Sequence, residues 1–133
     1  MKTRRLVVLL VGGILLICLP MFAHHGNQAY ESARVEIKDV IVKEFLWANP
    51  HCIVRFDAKD ESGKVTRWTA EMTSPSALSI DGFAKSLLKP GDVITVDITV
   101  SKTGNPVGWI RGITFADGSV WKSGERFQGT AQR

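Results

Sequence analysis

The run HCIVRFDAKDESGKVTRWTAEM, residues 51–72, reads as a β-hairpin and sets the frame for the rest of the chain. Cys52, Val54 and Phe56 fall on one face of its first arm, and His51, Ile53, Arg55 and Asp57 fall on the other. Alternate side chains of a strand point to opposite faces, so this parity separates an apolar side from a polar one. AKDESGK, residues 58–64, is rich in residues that tolerate tight backbone geometry and supplies the turn. The return arm puts Trp68, Ala70 and Met72 on the apolar side, and Val65, Arg67, Thr69 and Glu71 on the other. Two registers are open. A turn centred on Glu61 sets Glu71 opposite His51, whereas a slip of two residues pairs Asp57 with Arg67 and leaves Glu71 diagonal to His51. In both, Glu71 is the candidate carboxylate nearest to His51.

Working outward, residues 34–47 have the loose alternation of a long strand with a bulge, Ile41, Phe45 and Trp47 being set against Lys43, Glu44 and Leu46. Residues 93–100 alternate Ile94, Val96, Ile98 and Val100 with Thr95, Asp97 and Thr99, and residues 107–115 form a further strand. Asp117-Gly118 turns the chain into a short last strand around Val120 and Trp121. Ser74 before Pro75 is an N-cap and first-turn pair, so a short helix is predicted between residues 74 and 88, with Asp81 capping a second turn through Phe83, Leu87 and Leu88. Five or six strands with one short helix between the third and fourth predict a mostly β fold. A small antiparallel OB-like barrel accounts for this order and removes exposed strand edges, and a small sandwich is the alternative. The expected layout is a polar N-terminal arm over residues 24–33, the barrel over 34–122 and a flexible tail over 123–133.

Residues 1–23 read as a secretory leader. Lys2, Arg4 and Arg5 precede an apolar run over residues 6–19, Pro20 interrupts it, and Ala23 supplies the small residue before a cut. Met21 departs from the small residue preferred two positions earlier, and an uncleaved anchor is the alternative reading. Cleavage between Ala23 and His24 is the expectation, with a periplasmic or secreted address in a bacterium. Lys2, Arg4 and Arg5 supply three of the chain's +4 charges, so the remainder carries about +1. It has no cationic cluster to line up with phosphates, so no nucleic-acid partner is expected, nor any stable membrane insertion once the leader is gone. Cys18 lies in the leader, which leaves Cys52 as the mature chain's one thiol, on the core face of its strand.

All three histidines sit at two places, His24 and His25 at the expected mature start and His51 at the head of the hairpin. Cleavage after Ala23 gives His24 a free α-amine beside its imidazole, and the amine, with a pKa of about 8, is partly deprotonated at neutral pH. Amine and imidazole close a chelate ring on one metal ion. His25 and His51 extend the nitrogen set, which suits Cu(II) first and Zn(II) second. Glu71 would ligate the metal or orient the His51 ring. The plainer reading is a soluble start to the chain and an ordinary cross-strand His–Glu pair. A Gly-rich phosphate loop, a CxxC pair and a Gly-x-Ser-x-Gly elbow are all lacking. Trp47, Trp68, Trp109 and Trp121 line a ligand groove or fill the core. A non-enzymatic metal-binding module is therefore expected, with a metal-free module for a partner protein or small ligand as the alternative. A copper-dependent oxidative enzyme ranks behind both, because no acid–base set accompanies the histidines.

The segments AHH, EFLWANPH, WTAEMTSPSAL, LLKPGDVITV and ITFADGSVW occur in this order over nearly all of the expected mature chain. Together they resemble a family of small exported bacterial proteins of unknown function. The resemblance rests on the double histidine His24-His25, Trp47 to His51, Glu71 with Ser74-Pro75, and the turn from Lys89 to Asp92. Gly26 stands where a serine is usual, and DGFAKSLL and DITVSKTGNP depart from the pattern. The resemblance implies a periplasmic address, no established activity, and histidines that belong to the family's pattern.

Overall fold

The computed structural model describes residues 30–129, so the leader, His24 and His25 lie outside the described residues. The strands are β1 (Tyr30–Leu46), β2 (Ile53–Lys59), β3 (Val65–Glu71), β4 (Val93–Ser101), β5 (Val107–Thr114) and β6 (Val120–Lys122). The helix α1 (Pro75–Ile80) and a 3-10 turn (Lys85–Leu87) separate β3 from β4. The sheet order β3-β2-β1-β4-β5-β6 closes on itself through a parallel pairing of β3 with β5. Five strands thus form a barrel, and β6 extends one edge of it. The upper part of β5, Val107 to Trp109, pairs with β3, and its lower part, Gly112 to Thr114, pairs with β6. This is the OB-like arrangement expected from the strand order and the position of the helix.

The hairpin adopts the slipped register, with Asp57 opposite Arg67 and Ile53 opposite Glu71. Asp60 accounts for it. Its Oδ1 accepts from Ser62 N at 2.9 Å, Ser62 Oγ at 2.6 Å and Lys64 N at 3.0 Å. Gly63, at φ 83°, takes the left-handed position that this closure requires. The loop is therefore held by its own first residue, and the strands zip outward from it.

β1 contains the expected bulge, but before it the parity differs from the expectation. Val40 and Val42 are fully buried while Ile41 is half-buried, and the register then shifts between Val42 and Glu44. That extra residue returns Phe45 to the core side, where it and Trp47 pack against the buried cluster. The strand also starts at Tyr30, inside the arm expected over residues 24–33, because Tyr30 pairs with Ser101 beyond an irregularity in the β1–β4 ladder.

Helix α1 begins as its sequence implies: Ser74 Oγ accepts from Ala77 N at 3.3 Å, and Pro75 occupies the first turn. Asp81 does not start a second turn. It is the C-cap, Gly82 follows at φ 81°, and Phe83 N and Gly82 N donate to Leu78 O and Ser79 O. This paired closure is a Schellman motif, which ends the helix and turns Phe83 inward against Leu78. Leu78, Phe83 and Leu88 all join the core with Val54, Phe56, Ala70, Met72, Val96, Ile98, Ile110, Ile113 and Trp121.

The segment after β6 docks on this crossover. Phe127 N donates to Asp81 O at 2.7 Å, and the Phe127 ring lies 6.4 Å from Phe83 and 5.7 Å from Phe115. No helix among the described residues is long and apolar enough to cross a membrane.

Candidate functional site

His51 follows directly on the cis peptide bond between Asn49 and Pro50, just before β2. The chain is already held there by backbone bonds to the far arm of the hairpin: Cys52 N donates to Thr73 O, and Cys52 O accepts from Met72 N. Strand parity then turns the two neighbours apart. Cys52 is fully buried, and burial pushes its thiol pKa up. His51 stands on the outer face, where its Nδ1 meets Glu71 Oε2 at 3.0 Å. The diagonal relation expected from the slipped register is the one that brings these two side chains together.

The pairing dictates the chemistry of the ring. A carboxylate only accepts, so in neutral His51 the proton sits on Nδ1 and the lone pair on Nε2. Nε2 has no hydrogen-bond partner among the described residues. A histidine whose Nδ1 is held by a carboxylate, with Nε2 open, has the form of a metal-ligating imidazole supported by an oxygen. The two side chains are 39% and 35% exposed, so the pair itself contributes little to stability. Among the described residues no group of three His, Cys, Asp or Glu side chains is placed to hold a metal. His51 and Glu71 are two such groups.

Trp109 completes the surroundings. Its Cα is the partner of Glu71 across the parallel seam, and its indole lies 4.9 Å from the His51 ring in an edge-on arrangement. Arg111, two residues on, places its Cζ 5.6 Å from the centroid of the same indole and donates from Nε to Thr99 Oγ1 at 3.2 Å. The other three tryptophans have different surroundings. Trp47 packs on Phe45, Trp68 stacks on Phe56, and Trp121 lies against Phe83 in the core. Trp109 is one of four tryptophans expected in a groove or the core, and Arg111 is not singled out at all; neither is placed beside His51 by the sequence. Their shared outward parity on one strand was readable, but the parallel β3–β5 pairing that sets them beside His51 was not.

The rest of this face is a ladder of ion pairs. Asp57 takes two bonds from Arg67, at 2.8 and 3.1 Å, and lies 3.5 Å from Lys43 Nζ. The Arg67 guanidinium holds the Asp57 carboxyl below the usual carboxylate range. Arg55 pairs with Glu44. A separate cavity of about 140 Å³, lined in part by Leu87, Ile94, Phe115 and Phe127 with Lys89 and Asp92, includes none of the residues around His51.

The fold defines a small closed β-barrel of OB-like topology, with a half-exposed His–Glu pair on its outer face. The chain belongs to a family of unknown function (DUF6152), which matches residues 13–110. That span contains all three histidines, Glu71 and Trp109. No curated protein and no solved structure matches the chain.

Proposed function

We propose that this protein is an exported, periplasmic barrel module that binds a divalent transition metal, copper before zinc. In this reading the leader is cut after Ala23, and the α-amine and imidazole of His24 close a chelate that His25 and His51 complete. Glu71 fixes the His51 ring through Nδ1, and Nε2 is the atom that meets the metal. The His51–Glu71 pair carries the proposal, because it leaves the ring in the tautomer and orientation that a ligand needs. Three or four nitrogen donors match the preference of Cu(II), and a bound metal would link the N-terminal arm to the barrel.

The test is a Cu(II) titration, against a competing chelator, of protein that begins at His24. One equivalent of tight binding is expected. A methionine placed before His24 removes the α-amine from the chelate and lowers the affinity by orders of magnitude. Glu71→Gln lowers it by roughly 10-fold, as is usual when the support of a ligating histidine is lost. Absence of stoichiometric binding, or equal affinity with and without the added methionine, contradicts the proposal.

A further inference from the structure

The cavity of about 140 Å³ is bounded by the 3-10 turn, the start of β4 and the turn after β5. Its apolar side consists of Leu87, Ile94, Phe115 and Phe127. Ile94 is a core residue, whereas Leu87, Phe115 and Phe127 are half-buried. Phe127 belongs to the segment after β6 and is fixed in place. Its N–H donates to Asp81 O at 2.7 Å, and Gly124 N donates to Asp81 Oδ2 at 3.3 Å. The Phe127 ring packs on Phe115 at 5.7 Å. One wall of the cavity is therefore chain that adds no strand to the barrel.

The polar side carries charges of both signs and a hydroxyl. Asp92 Oδ2 accepts from Lys89 N at 2.7 Å, and Asp117 Oδ1 accepts from Ser119 N at 2.9 Å and Ser119 Oγ at 2.6 Å. Each carboxylate thus closes its own turn. Lys89 is exposed to solvent. The Ser86 hydroxyl, also on the lining, has no hydrogen-bond partner among the described residues.

Size and lining define the ligand. A cavity of roughly 150 Å³ accepts a molecule as large as benzene, so this one has room for a single six-membered ring. Such a ring meets two aromatic and two aliphatic side chains. A charged group on the ring would have to leave water for a lining whose carboxylates are already engaged, at a cost that a neutral group avoids. A hydroxyl both donates and accepts, and the Ser86 hydroxyl can meet it in either role.

We infer that this cavity is a binding site for a neutral, single-ring aromatic ligand of the phenol type. Its ring lies against Phe115, Phe127, Leu87 and Ile94, and its hydroxyl is directed to Ser86. The inference needs no metal, and the cavity shares no residue with the surroundings of His51, so it stands or falls separately from the copper reading.

The experiment is an NMR titration of chelator-treated, metal-free protein with phenol, following the methyl signals of Leu87 and Ile94 and the ring signals of Phe115 and Phe127. Saturable shifts of these signals are expected, with a Kd on the order of 1 mM, the strength of one small ring and one hydrogen bond. Leu87→Phe fills the space and should abolish binding. Phe127→Ala removes a wall and should weaken phenol at least roughly 10-fold. On the native protein, benzoate and benzylamine should both bind more weakly than phenol. The inference is overturned by shifts that never saturate, by shifts centred away from these four residues, or by unchanged phenol affinity in a folded Leu87→Phe or Phe127→Ala protein. Either charged analogue binding as tightly as phenol also overturns it, and that comparison requires no variant to fold.

Discussion

His51 and Cys52 are adjacent in the chain and differ in almost every physical respect. Cys52 is sealed in the barrel with its thiol pKa raised by burial, while His51 stands half-exposed beside Glu71 and Trp109. The same division runs along the seam, where Ala70, Gly108 and Ile110 face inward and Glu71, Trp109 and Arg111 face outward. One residue of parity separates the groups that hold the barrel together from those that could meet a ligand. Changes on the inner side should therefore act on stability, and changes on the outer side on binding.

The largest expected effect comes from emptying the interior. Phe56→Ala removes a fully buried ring that stacks with Trp68 and should cost about 4 kcal/mol, measured by urea unfolding. Gly108→Ala should cost about 2 kcal/mol, because a Cβ there would lie 2.6 Å from Ile98 Cδ1 and 2.7 Å from the Thr99 carbonyl oxygen. Ile98 is itself fully buried, and the Thr99 carbonyl oxygen belongs to the backbone of the paired strand, so neither yields without disturbing the core. His51→Ala, on the other face, should change stability by less than about 1 kcal/mol. A large loss of stability in that variant would break the division between the two faces.

Acid sharpens the same comparison. Arg67, aided by Lys43, lowers the folded-state pKa of Asp57 below its unfolded value of about 3.9. The stability this provides is complete above the unfolded value and is lost as pH falls through the folded one. Urea midpoints taken from neutral pH down to about pH 3 should fall more steeply for the native protein than for Asp57→Asn. The smallest effect is one of reactivity. In protein beginning at His24, a thiol reagent should leave Cys52 untouched until urea is added, whereas an imidazole reagent should modify His51 in the folded state.

Most of the barrel was legible because its strands alternate clearly. The hairpin of β2 and β3, the Ser74-Pro75 start of α1 and the burial of Cys52 all follow from local patterns. Parity failed in β1, where a bulge between Val42 and Glu44 exchanges the faces and puts Val40 and Val42, rather than Ile41, in the core. The end of α1 was misread because Asp81 suits either terminus of a helix, and the decision fell to Gly82 after it. The neighbourhood of His51 was only half legible. Glu71 follows from hairpin register, which is local, whereas Trp109 and Arg111 reach the site through a parallel pairing between strands far apart in sequence. The docking of Phe127 was illegible for the same reason: its partners Phe83 and Phe115 are brought to it only by the closed fold.

The central claim is that the N-terminal histidines and the barrel face at His51 hold one metal together. Paramagnetic broadening by sub-stoichiometric Cu(II), read residue by residue in protein that starts at His24, tests this most directly. Signals of His24 and His25 should broaden together with those of His51, Glu71 and Trp109, and His51→Ala should spare Glu71 and Trp109. Broadening confined to the first residues, with His51 and its neighbours unchanged, would contradict the claim.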